Sequence, residues 1–132
     1  MAVESLTSFR LRRVWLTLGW LWVATVFYLS LMPHPPEPVS FQGADKFEHA
    51  LTYVFLMLWF CQIYGARKQR VVVGALFVSM GICIEFLQGM TAYRMFEYAD
   101  MMANTTGVAI GWVLAQTRMG CVLTMLEKNG KH

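Results

Sequence analysis

Four long apolar runs organise this chain: Val14 to Met32, Phe47 to Tyr64, Val71 to Met90 and Met101 to Thr117, of 19, 18, 20 and 17 residues. A helix rises about 1.5 Å per residue and needs about 20 apolar residues, within a range near 17–25, to cross the hydrocarbon core of a bilayer. Each run is long enough, and the pattern predicts an all-α integral membrane bundle of four transmembrane helices, the first over about 14–32. The runs are apolar on every side, and a soluble bundle of this size would have too little polar surface to cover them. Residues 1–132 read as one membrane domain without repeats or low-complexity tracts, and Pro33-His34-Pro35-Pro36 predicts a stiff extended connector.

The flanks of the runs set an orientation. Arg10, Arg12, Arg13, Arg67, Lys68, Arg70, Arg118, Lys128 and Lys131 fall on one side, and only Lys46 and Arg94 on the other. By the positive-inside rule both termini and the turn between helices 2 and 3 are cytoplasmic, while residues 33–46 and 91–100 face outward. Trp15, Trp59, Trp112 and Tyr64 near the inner ends, and Tyr28, Tyr93 and Tyr98 near the outer ends, fit interfacial belts. The arginines before the first run also resemble the start of a secretory signal. That run is too long, however, and Leu29-Ser30-Leu31-Met32-Pro33 lacks a small-x-small cleavage pattern, so it is expected to stay attached as helix 1.

Composition agrees: 57% hydrophobic and 14% charged residues exclude water as the main solvent. The net charge of +3 comes from blocks of basic residues beside the apolar runs rather than along one helix face, which points to membrane orientation and away from nucleic acid. Cys61 and Cys83 differ in depth by more than about 10 Å along their helices, too far to bridge, and with Cys121 they lack the spacing of a zinc site.

The polar residues inside the runs are few and collect at one end. Helix 2 opens with Asp45-Lys46-Phe47-Glu48-His49, in which Asp45 and Glu48 read as a capping box. His49 lies one turn after Asp45, on the face of Tyr53, where an ionisable group is costly without a partner. Helix 3 ends in Glu85-Phe86-Leu87-Gln88, with Glu85 roughly 7–8 Å below the interface, a depth at which a carboxylate must meet a cation, a proton or water. Arg94 follows in the loop, and helix 4 begins Asp100-x-x-x-Asn104-x-x-Gly107-x-x-x-Gly111, with Asp100 a candidate N-cap. Glycines admit a close helix neighbour. Because helix 3 carries Gly74, Gly81, Glu85 and Gln88 on a matching stripe, helices 3 and 4 are expected to pack glycine to glycine.

Helix 2 starts, helix 3 ends and helix 4 starts on the same side, so His49, Glu85, Gln88, Asp100 and Asn104 are expected to share one layer beneath Lys46 and Arg94. Glu85 should come within salt-bridge or one-water reach of Arg94 or His49, and Asn104 within hydrogen-bonding distance of Glu85, Gln88 or His49. Acid–base groups under two cations suit an anionic headgroup. The carboxylate–His–Asp set offers only weak support for a divalent ion, and neither a metal nor a cofactor is assigned.

The order Asp45-Lys46-x-x-His49, Glu85-x-x-Gln88, Arg94, Asp100-x-x-x-Asn104-x-x-Gly107-x-x-x-Gly111 resembles the VanZ-like family of small bacterial membrane proteins over about residues 42–118. Many relatives carry Pro-Gly before the arginine where this chain has Ala92-Tyr93. The resemblance implies a multi-pass protein of the bacterial inner membrane and cell envelope, in a family associated with glycopeptide resistance, notably to teicoplanin. It does not decide between binder and enzyme. In the first reading Lys46, Gln88, Arg94 and Asn104 contact an anionic envelope lipid, a lipid-linked precursor or the glycopeptide, while Asp45, Gly107 and Gly111 are structural. In the second, His49, Glu85 and Asp100 are catalytic in hydrolysing or transferring a lipid-linked headgroup, with Lys46 and Arg94 steadying an oxyanion. The partners expected are membrane lipids and possible further copies of the chain, with no nucleic acid. A transport route has no polar lining through the inner leaflet unless the protein oligomerises.

Overall fold

The computed structural model describes residues 11–32, 44–91 and 97–129. The connector at Pro33–Pro36, Tyr93, Arg94 and the side chain of Asp45 lie outside the described residues. The described chain is all-helical: α1 (Arg12–Leu31), α2 (Ala44–Ile63), α3 (Arg67–Gly89), α4 (Tyr98–Ala115), a 3-10 turn (Arg118–Cys121) and α5 (Val122–Asn129). α1 stops where its next residue, Met32, turns extended (φ −77°, ψ 149°), as the ring of Pro33 requires of the residue before it. α2 and α4 begin three residues ahead of their apolar runs, so Lys46 and Asp100 stand in first helical turns rather than in loops.

α2 is the central helix. Tyr53, Leu56, Met57, Phe60 and Cys61 are buried along it, against Val23 and Val26 of α1, Phe77, Met80 and Ile84 of α3, and Val108 and Ala115 of α4. The most extensive seam joins α2 to α4. A Cβ on Gly107 would stand 2.3 Å from the carbonyl oxygen of Ala50, and one on Gly111 would stand 2.8 Å from that of Val54. The contacts rise together along both helices, so α2 and α4 run parallel. The expected glycine-to-glycine packing of helices 3 and 4 is thereby corrected: the α4 glycines receive α2, while Gly74 faces Met57 and Val108 and Gly81 faces Asn104. Small residues identify a face that permits close approach, but not which helix fills it.

At the end carrying Arg12, Arg67, Lys68 and Arg70, the basic end, the helices are stitched by polar contacts. Arg70 donates from Nη2 to the Cys61 carbonyl at 2.7 Å and from Nε to the Tyr64 carbonyl at 3.0 Å, satisfying carbonyls that the end of α2 leaves open. Trp59 Nε1 donates to the Trp15 carbonyl at 3.0 Å. The buried Gln62 accepts the backbone N–H of Leu123 at 2.7 Å, which ties α5 under the bundle. A Cβ on Gly120 would meet the Ala115 carbonyl oxygen at 2.0 Å, so only glycine lets the chain turn this tightly after α4.

The surface is inverted relative to a soluble protein. Leu18, Leu21, Tyr28, Phe47, Leu51, Val72, Phe86, Met102 and Val113 are exposed around the outside, while Gln62, Glu85, Gln88, Asp100 and Asn104 are buried. By length and composition α1 (mean hydropathy 1.6) and α3 (2.0) can each cross a membrane. Tyr98–Ala115 with Arg118–Leu126, bent by 78°, supplies up to a third span. α2 falls outside this set: its polar first turn and Gln62 dilute its apolar length, of which Phe47, Leu51 and Phe55 stay exposed and the rest is mostly covered by neighbouring helices. Cys61 is buried, Cys83 exposed and Cys121 half-buried, all as free thiols.

Candidate functional site

At the opposite end α2 and α4 begin and α3 finishes, and there the buried polar side chains collect. Glu85 and Gln88 are each 1% exposed, Asn104 2% and Asp100 5%. Burial of this kind is tolerated where partners are supplied.

Lys46, in the first turn of α2, pairs with Glu97 and with Asp100, 2.7 Å from its Oδ1. Glu97 precedes α4 with extended backbone (φ −138°, ψ 120°) and makes no side-chain cap to it. Instead its backbone N–H donates to Glu85 Oε1 at 2.7 Å. The carboxylate of α3 therefore lies at the start of α4, where the helix dipole and free amides favour negative charge. Asp100 is the third residue of α4 rather than its N-cap, and its carboxyl meets that of Glu85. His49 interacts electrostatically with Glu85, as does Tyr53 one turn below it on α2.

The cluster is graded in depth. The side chains of Lys46 and Glu97 are 31% and 45% exposed and form its mouth, with Asp100 beneath them and Glu85 fully enclosed. Gln88 turns aside: its Nε2 donates to the Ser30 carbonyl at 2.7 Å, closing the last turn of α1. Asn104 settles against Gly81, where a Cβ would come within 2.9 Å of its Nδ2. Its Oδ1 has no hydrogen-bond partner among the described residues, so the expected bond to Glu85, Gln88 or His49 is not made by that oxygen. The missing side chain at Gly81 lets the amide drop one helical turn below Glu85, toward the backbone of α3. Glu48 Oε1 is buried with no hydrogen-bond partner among the described residues, so it completes no capping box there.

Two participants escape the sequence reading. Glu97 supplies both a carboxylate to Lys46 and an amide to Glu85; its signal was an acidic residue three positions before Asp100, at the register of a helix start. Ser30 enters through its backbone carbonyl, for which a side-chain pattern carries no signal.

Among the described residues Lys46 pairs with Glu97 and Asp100, while Asp100 and His49 both act on the enclosed Glu85. Two carboxyls in contact are an arrangement that shares a proton and serves acid–base chemistry. No group of three or more His, Cys, Asp or Glu side chains among the described residues is placed to hold a metal ion. Two apolar cavities lie elsewhere, between α1 and α3.

The family model described as VanZ/LLP1 matches residues 5–119. A protein of Schizosaccharomyces pombe named uncharacterized protein C11E3.10 is 26% identical over 119 residues, spanning 86% of this chain and 70% of that protein. No solved structure matches the chain.

Proposed function

The chain belongs to the VanZ/LLP1 family, and on that premise we propose that it is a membrane protein that binds the headgroup of a phosphate-bearing membrane lipid at the Lys46–Glu85–Asp100 cluster. In this reading residues 1–132 form one four-helix spanning domain of a bacterial inner membrane, both termini cytoplasmic, with the cluster opening outward. The inverted surface supports the membrane setting, because apolar side chains face out along α1 and α3 while the carboxylates are enclosed. The Lys and Arg asymmetry supports the orientation.

The observation that carries the binding reading is the depth gradient. Lys46 and Glu97 form a half-exposed ion pair over an enclosed acidic floor. A phosphate arriving at the mouth takes Lys46 from Glu97, and the freed carboxylates accept hydroxyl or amine groups of the same headgroup. The ligand is therefore one that carries both a phosphate and hydrogen-bond donors. Lipid-linked envelope precursors and glycopeptides such as teicoplanin also carry hydroxyls and amines. The relative in a fission yeast, a cell without a bacterial envelope, favours a phospholipid common to both.

A second reading rests on the Glu85–Asp100 contact beside His49. A carboxyl pair at the floor of a headgroup site is placed for acid–base hydrolysis or transfer. The two readings separate in one experiment. The full chain in phosphatidylcholine nanodiscs is titrated with short-chain phosphatidylglycerol, and binding and headgroup release are both followed. Lys46→Ala should weaken binding about tenfold, as expected for losing a charge-assisted contact. If the site is an enzyme, Glu85→Gln or His49→Ala should cut headgroup release by roughly 100-fold or more while binding persists. Wild-type binding and unchanged headgroup release in all three variants, each still inserted, would leave the cluster a clamp between helices and nothing more.

A further inference from the structure

Between α1 and α3 the bundle is not filled. Cavities of about 430 and 690 Å³ lie along this seam and share Trp20, Val72 and Leu76, so they are two stretches of one groove. The first stretch runs from Lys68 and Gln69 at the basic end to Phe77, over a floor of Phe60 and Tyr64. The second continues past Val23 and Phe27 toward Ser79 and Cys83.

The walls are apolar, but the mouth is cationic. Lys68 is exposed and pairs with no carboxylate among the described residues. The Arg12 guanidinium stands over the Tyr64 ring, 5.2 Å from its centroid, so a second cation flanks the same opening. From Lys68 to Phe77 α3 advances about 14 Å, close to half of a hydrocarbon core about 30 Å thick. The first stretch is thus as long as one leaflet.

We propose that this groove holds an acyl chain of an anionic phospholipid from the leaflet at the basic end, with the lipid phosphate between Lys68 and Arg12. A zwitterionic lipid brings its own cation and gains less from this mouth. A second copy of the chain inserted the same way round would bring Arg and Lys to the level of Lys68, where like charges repel. The site is separate from the polar cluster and does not depend on the function proposed for it.

Native mass spectrometry of the full chain tests this, after equilibration in micelles with equal amounts of phosphatidylglycerol and phosphatidylcholine. Beyond any lipid held at the polar cluster, one retained phosphatidylglycerol is expected, favoured by roughly fivefold for each cation at the mouth. Lys68→Ala should lower the preference by about that factor without loss of fold, since its side chain is exposed. Val72→Phe, which fills the wall shared by both stretches, should reduce retention of both lipids. In a Lys46→Ala background, which removes the polar cluster's own claim on phosphatidylglycerol, the effects of Lys68→Ala and Val72→Phe should persist. Equal retention of the two lipids, an unaltered preference in Lys68→Ala, full retention in Val72→Phe, or lipid-free dimers would each overturn the proposal.

Discussion

Gly107→Ala tests the seam on which the bundle is built. A methyl group there would stand 2.3 Å from the Ala50 carbonyl oxygen and 2.9 Å from Tyr53 Cβ, whereas non-bonded carbons settle at about 3.5–4.0 Å. The nearest obstacle is backbone, so no rotamer relieves it, and α4 must withdraw by about 1 Å. A gap of about 0.5–1 Å already forfeits a quarter to a half of each dispersion contact it opens. Overpacking of this kind costs about 1–3 kcal/mol, and a backbone clash in the most extensive seam belongs at the top of that range. Replacing glycine in a helix returns up to about 1 kcal/mol, which leaves a net loss of about 2 kcal/mol. Gly74→Ala is the matched control. Its methyl would meet the end of Met57 at 3.3 Å and Val108 Cγ1 at 3.6 Å, both of which can yield, so the change should cost less than about 1 kcal/mol or stabilise. Unfolding in mixed micelles with rising SDS fraction, followed by tryptophan fluorescence, measures both. Equal transitions for the two variants would mean that close α2–α4 approach does not hold the bundle together.

Arg70→Ala should destabilise by about 2 kcal/mol in the same titration, because it removes charge-assisted hydrogen bonds to the carbonyls of Cys61 and Tyr64. Arg70→Lys should recover only part of that loss, since a single ammonium cannot reproduce the guanidinium fork; full recovery would show that charge alone suffices. For orientation, a cysteine-free chain carrying Tyr98→Cys should react with an impermeant maleimide on intact cells, and Lys68→Cys only after permeabilisation. The reverse pattern would refute the outward placement of the polar cluster.

Periodicity and length made the four long helices legible, because apolar side chains and bilayer thickness both act on local sequence. The gathering of Glu85 and Asp100 beneath Lys46 at one end was legible too, since alternating direction along the chain fixes which helix ends meet. What escaped depends on pairing. The stripe of Gly107 and Gly111 indicated a close neighbour but named α3, whereas bulk at Tyr53 and Met57 fits that face from α2. Asn104 was expected to hydrogen-bond to Glu85, Gln88 or His49, yet its Oδ1 makes no such bond among the described residues and its amide lies against Gly81. Glu97 was missed because its larger contribution is a backbone amide offered to Glu85, and any residue type provides one. α5 escaped because a short helix after a break has too few turns to show its period; it is held by Gln62 and Leu123 instead.

The central place of α2 bears on how the chain is made. The helix leaves the ribosome with a charged first turn and an apolar stripe shaped to receive α4, yet α4 follows only after all of α3 has been synthesised. Until then Lys46 has neither Glu97 nor Asp100, and the backbone at Ala50 and Val54 lacks the glycines that cover it. Exposing the charged first turn of α2 to lipid at that stage would be costly. The bundle therefore closes late, its second helix waiting on its fourth. A nascent chain halted before Tyr98 would lack both the carboxylates that pair with Lys46 and the glycine face that fits against α2.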